Sequence, residues 1–320
     1  MSWLGAEIDG PLVLTRAIHF AASATTLGNL MFCAFVAEPA LRPSPEGNAI
    51  VRSRMVELTW AGFAITAVTG LVWLLLQTMS ITGLASGEAM RSGAVLVVVT
   101  ETQFGLVSEI RAGLAVLLAA CLVLDRFGLS RWLALLAASG LVGAIAWTGH
   151  AGSTLGELGN LHLAADVVHL FAASAWLGGL VGLSVLFAVG RRRSALEWGP
   201  LQLDAIRAFS VIGMISVAAL IVSGSVNAWI LVGSFRALLV TDYGLLLLLK
   251  IAAFVIMIAF AAMNRFWVTP RLALAEKNDA DPAPLSALTR NTLIEVALGL
   301  SIFAMVGVLG TLHPAIHLVK

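Results

Sequence analysis

The chain of 320 residues is 59% hydrophobic and only 12% charged, with a net charge of +1 and a mean hydropathy of +0.96. Average soluble domains are roughly a quarter charged, so this composition excludes a soluble globular enzyme and a disordered chain. It also excludes a nucleic-acid binder, which needs a basic face that a near-neutral chain with no long basic block does not have.

A membrane-crossing helix takes about 20 mostly apolar residues. Eight such stretches follow in order, at residues 12–36, 56–79, 104–124, 132–147, 163–189, 209–231, 245–263 and 293–312. With one tyrosine and long Leu, Ala and Val runs, the expected class is an all-α membrane protein with the lipid bilayer as its solvent. The chain opens with Glu7 and Asp9 instead of a basic region, and its first apolar run is long enough to span, so it reads as a first span and not as a cleaved signal. Short apolar stretches at 89–100 and 235–240 precede the third and seventh spans and read as outer half-helices. The stretch 151–161, rich in Gly and small polar residues, reads as a linker. Cys33 and Cys121 lie in apolar runs of different helices and read as packed thiols.

Lys and Arg choose the sides. Thirteen of the nineteen, among them Arg52, Arg126, Arg131, Arg192, Arg265 and Lys277, fall in the connections 1–2, 3–4, 5–6 and 7–8. Arg16, Arg91, Arg236 and Lys320 go to the other side, while Arg111 and Lys250 fall inside spans. The positive-inside rule makes the first set cytoplasmic, so both termini are expected on the outer side of the membrane. Acids (Glu7, Asp9, Glu88, Glu101, Glu109, Glu157, Asp166 and Asp242) exceed bases on that outer side, a mouth that draws cations.

The chain also repeats itself. Ile18-His19-Phe20-Ala21-Ala22-Ser23 with Leu27-Gly28 matches Val168-His169-Leu170-Phe171-Ala172-Ala173-Ser174 with Leu177-Gly178, the histidines and the Leu-Gly pairs at an offset of 150. Thr69-Gly70 matches Ser223-Gly224. Phe104-Gly105, Arg111 and Asp125-Arg126-Phe127 match Tyr243-Gly244, Lys250 and Asn264-Arg265-Phe266 at an offset of 139. Thr148-Gly149-His150 matches Thr311-Leu312-His313. The expected organisation is two four-helix repeats, 1–150 and 162–320, joined by 151–161. Four spans per copy make the repeats parallel, about an axis along the membrane normal.

All six histidines, His19, His150, His162, His169, His313 and His317, fall on the outer side. His162, Asp166 and His169 stand at i, i+4 and i+7, one helical stripe. Imidazole is a general transition-metal ligand, and a nearby carboxylate either ligates or orients it. Ionisable groups at membrane depth are costly and mark function by default. Arg111 and Lys250 are duplicated cations, either anchors for an anionic group or side chains reaching the interface. Met31, Cys33, Cys121, Met257 and Met263 read as packing, with soft ligation by Cu(I) the alternative.

The segments His169–Leu180 (HLFAASAWLGGL), Thr148–Ala151 (TGHA) and Tyr243-Gly244 through Lys250 to Asn264-Arg265 resemble the CopD family of copper resistance membrane proteins. The resemblance implies an eight-span protein of the bacterial inner membrane, with the outer side and both termini periplasmic, that takes up or transfers copper and works with a periplasmic copper-binding partner, CopC. Copper enters through this resemblance alone; the residues by themselves show a one-sided imidazole set. On the copper reading His150, His162, Asp166, His169 and His313 capture the ion, with His19 the counterpart in the first repeat. A second reading is a membrane b-type cytochrome, with His19 and His150, or His169 and His313, as axial ligands of haem b. A third is a scaffold that binds no ion.

Overall fold

In the computed structural model eight long helices form a bundle: α1 Gly10–Ala40, α2 Pro45–Thr82, α3 Gln103–Val123, α4 Gly128–Thr148, α5 Gly156–Gly190, α6 Glu197–Val232, α7 Asp242–Ala275 and α8 Ala283–Leu309. The structure describes residues 2–3, 6–7, 9–125, 127–191, 193, 195–277 and 283–318. Arg126, Arg192 and Lys320, and the side chains of Glu7 and Lys277, which entered the charge reading, lie outside the described residues. All eight helices are long and apolar enough to cross a membrane, so the protein is an all-α, multi-pass membrane protein. An even number of spans brings both chain ends to one face of the bundle, here termed the terminal face.

The helices start where the sequence supplies caps. Asp9 Oδ1 accepts from the Leu12 amide at 3.2 Å, and Pro11 sits in the first turn of α1. Thr102 and Thr241 cap α3 and α7 in the same way, each hydroxyl accepting from a glycine amide, Gly105 or Gly244, at 3.0 Å. Before each stands a short helix, Ala94–Glu101 or Phe235–Val240, in the places expected for outer half-helices. Each folds back so closely that a Cβ on Gly105 or Gly244 would lie 2.2 or 2.4 Å from a backbone oxygen, of Val98 or Leu238.

The helices run further than the apolar stretches. At 1.5 Å per residue, the 38-residue α2 is about 57 Å long, against about 30 Å of hydrocarbon. Arg52, Arg54, Arg207, Arg265 and Arg271, expected in connections, therefore ride on helical extensions. Continuing the helix satisfies every backbone N–H and C=O through the interface, whatever the side chains. In the same way α5 begins at Gly156, so most of the 151–161 stretch is helical.

Two helices form the centre. α1 and α5 bury 56% and 67% of their membrane-length windows, against 11% for α7. They touch through the duplicated glycines: a Cβ on Gly28 would stand 1.9 Å from the Ser174 carbonyl oxygen, and one on Gly178 would stand 2.4 Å from the Gly28 Cα. In lipid, where apolar burial gives helices no drive to associate, such close backbone approach is how they gain packing energy. Around the crossing, Phe32, Val36, Leu180, Leu183, Leu186, Phe187 and Phe209 fill the half away from the terminal face. Cys33 and Cys121 are free thiols packed among apolar neighbours, and Met257 is buried in the same core.

Candidate functional site

His19 sits two and a half turns into α1, 1% exposed, at the centre of the first four-helix unit. Thr69 on α2 donates its hydroxyl proton to the Ile65 carbonyl at 2.6 Å, so its oxygen accepts from His19 Nδ1–H at 2.9 Å. Arg111 on α3 only donates, and it donates to His19 Nε2. Both nitrogens of this neutral imidazole are therefore engaged by the protein. Beside it, Trp73 packs edge-on at 5.4 Å, and the guanidinium carbons of Arg16 and Arg111 lie 5.3 and 5.7 Å from the indole centroid. Arg16, counted above with the outer charges, is only 7% exposed. Its guanidinium rests against Gly310 at the end of α8, where even a Cβ would collide with it. A buried guanidinium costs several kcal/mol; contact with an indole returns about 0.5–2 kcal/mol.

The second unit builds the same frame. Ser223 donates to the Ala219 carbonyl at 2.6 Å, so its oxygen accepts from His169 Nδ1–H at 3.0 Å. Nε2 is left with its lone pair, and among the described residues no protein donor meets it. Lys250 on α7 stands at the position that matches Arg111, and among the described residues it forms no hydrogen bond to the ring. Asp166 Oδ1 accepts from Asn227 Nδ2 at 3.1 Å. A metal-ligating histidine typically donates its other ring N–H to an anchoring acceptor, and Ser223 is such an anchor.

Two more imidazoles stand at the terminal face. Thr154 Oγ1 donates to the His150 carbonyl at 3.1 Å and accepts from His162 Nδ1–H at 2.8 Å, leaving His162 Nε2 as the lone-pair atom. His150 donates Nε2–H to the Leu312 carbonyl at 3.1 Å, leaving its Nδ1, and its ring meets Tyr243 edge-on at 6.2 Å. This bond ties the end of the first unit to the end of the second. Burial pushes the His150 pKa below the usual imidazole value, with Arg16, His313 and His317 adding repulsion against the hydrogen bond to Leu312. His313 and His317 are exposed beyond the end of α8.

The stripe His162, Asp166 and His169 holds as one face of α5, but each member is anchored to a different partner. Among the described residues no three His, Cys, Asp or Glu side chains gather closely enough to hold a metal ion. The haem reading gains no support: both ring nitrogens of His19 are taken, and His150 Nε2 is bonded to Leu312. Arg111 faces its imidazole instead of reaching outward.

Sequence reasoning passed over several residues. Applying the offset of 150 to Arg16 gives Asp166, and the offset of 154 between Thr69 and Ser223 carries Trp73 to Asn227. The two sites thus differ at both positions beside the imidazole. At the face opposite the chain ends the halves differ as well. The first unit has ion pairs, Arg52 to Asp125 at 2.6 Å and Arg131 to Glu38 at 3.0 Å. The second has a buried chain in which Asn291 Nδ2 donates to Asn264 Oδ1 at 2.7 Å and Asn264 Nδ2 donates to Glu295 Oε1 at 2.8 Å. Glu295, an acid inside the apolar run of α8 and 1% exposed, was the signal for that cluster.

Comparison with known proteins bears on the same regions. The family described as "Copper resistance protein D-like, N-terminal domain" matches residues 7–160, spanning α1–α4, and "Copper resistance protein D" matches residues 203–309, spanning α6–α8. The chain is 28% identical over 262 residues to copper resistance protein D of Pseudomonas syringae pv. tomato, covering 78% of this chain and 83% of that one. It is 27% identical over 302 residues to inner membrane protein YebZ of Escherichia coli, covering 94% of this chain and 98% of that one. It is 30% identical over 257 residues to copper transport protein CutJ of Bacillus subtilis, covering 78% of this chain but 45% of that longer one. With its eight spans and these matches across both halves, the chain belongs to the copper resistance protein D family of multi-pass inner-membrane proteins.

Proposed function

We propose that this protein takes copper from the periplasmic side and passes it inward through imidazole sites of the second four-helix unit. The terminal face is the periplasmic one on this reading, in line with the concentration of Lys and Arg on the opposite side. The observation that carries the proposal is His169: its Nδ1–H is anchored on Ser223, its Nε2 lone pair meets no protein donor among the described residues, and Asp166 stands one turn away on the same face. His162 and His150, with His313 beyond α8, offer successive lone pairs between that site and the periplasm. His19 is the structural counterpart, held by Arg111. Single imidazoles in series suit an ion that must leave again, because conduction needs binding that is favourable but not deep. A separate periplasmic copper-binding protein of the CopC kind would deliver the ion.

Copper titration of the purified chain tests this. H169A is expected to abolish the tightest binding phase, H150A to weaken it, and cells carrying H169A to lose the copper content that the wild type confers. Wild-type isotherms for both variants would refute the assignment.

A further inference from the structure

Among the described residues, the first unit buries two guanidiniums that no carboxylate pairs with. Arg16 and Arg111 come from α1 and α3 and flank the indole of Trp73 on α2. Arg16 Nε, Arg111 Nε and Trp73 Nε1 are all buried and donate to no acceptor. Among the described residues neither arginine forms an ion pair: the bridges belong to Arg52, Arg54, Arg131, Arg193 and Arg207. Among the described acids of the outer segments of this unit, Asp9 caps α1, and Glu88, Glu101 and Glu109 are exposed. His19 accepts from Arg111 and is neutral, and His150 adds no negative charge.

The second unit shows what is missing. At the position of Arg16 it has Asp166, at that of Trp73 it has Asn227, and at that of Arg111 it has Lys250, so cation and carboxylate come from the same chain. We propose that the first unit takes its negative charge from a ligand, and that Arg16, Arg111 and Trp73 form a binding site for a phosphate group reached from the terminal face. Three buried N–H groups without acceptors, two of them on planar guanidiniums that lie against one indole, supply the kind of donors that the acceptor oxygens of a tetrahedral oxyanion require. The group is a free phosphate or the headgroup of an anionic lipid; the chemistry at the site is the same.

The test uses the full-length, copper-free chain. In detergent, inorganic phosphate is titrated at constant ionic strength while heat of binding and the unfolding midpoint are followed. In nanodiscs of phosphatidylcholine, with or without phosphatidylglycerol, lipids retained on the protein are read by native mass spectrometry. A free-anion site gives saturable phosphate binding and a raised midpoint in the wild type, weakened at least tenfold in R16Q/R111Q and kept in K250Q. A headgroup site gives retained phosphatidylglycerol that the same double variant loses. Wild-type protein that binds neither probe overturns the proposal without reference to any variant, and so does equal binding by wild type and a folded R16Q/R111Q. R16K/R111K, which keeps the charge but loses the Nε donors, is expected to bind about tenfold more weakly. None of these readouts involves copper, so they stand or fall apart from the copper assignment.

Discussion

His19 and His169 occupy matching places in the two halves, and each donates Nδ1–H to a hydroxyl on the following helix, Thr69 or Ser223. Three residues before them the halves part: Arg16 lies against Trp73, whereas Asp166 is bonded to Asn227. The difference decides what each imidazole can do. In the first half a cation caps Nε2, and a second cation beside it makes the surroundings hostile to a metal ion. In the second, a carboxylate bonded to Asn227 takes the place of the second cation, and no described donor meets Nε2. The two halves share this frame and differ in charge, so one architecture holds a structural imidazole and a candidate ligand side by side.

The strongest way to break the comparison is at its centre. G28A and G178A each push a Cβ into the backbone of the facing helix, and overpacking of this kind costs about 3 kcal/mol. Both variants should lose that much in reversible unfolding titrations. A cost confined to one of them would mean that the halves do not meet symmetrically. Next in size, D166N removes the carboxylate on the same helix face as His169 and should weaken copper binding by about tenfold, the low end of the range for groups around a metal ligand. The complementary R16D/W73N gives the first half the residues of the second and should raise copper stoichiometry in the same titration.

At the opposite face, E295A strands the Asn264 amide in a buried site and should cost about 1–3 kcal/mol, with little dependence on salt. D125A removes a half-exposed pair worth about 1 kcal/mol or less, and its effect should shrink as salt rises. Equal salt dependence in the two variants would erase the contrast between a half-exposed ion pair and a buried hydrogen-bonded cluster.

The smallest effect belongs to His150. Its lowered pKa means that the unfolded chain binds a proton more readily than the folded one. Stability is then unaffected by this group well above about pH 6.5 and falls as the pH drops from there toward the folded value. The unfolding midpoint of the wild type should decline more steeply between pH 7 and 5 than that of H150Q.

Much of this was legible in the residues. The spans are apolar runs of the length a bilayer demands, and the offset of 150 already paired His19 with His169 and Gly28 with Gly178. The helix ends were not legible, because the interface tolerates Arg52 and Arg207 on a helix as readily as in a loop. Arg16 was read as a flanking charge although the same offset sets it against Asp166. Glu295 could be noticed but not explained, since its partner Asn264 lies 31 residues away on another helix.

Composition and spacing alone determined the membrane class, the count of spans and the placing of every histidine toward one end, because these depend only on how much apolar chain a bilayer requires and on parity. Which nitrogen of each imidazole is open was decided only by the tertiary structure. That choice depends on whether Thr69, Ser223 and Thr154 have already given their protons to backbone carbonyls, and on whether a guanidinium donates to the ring.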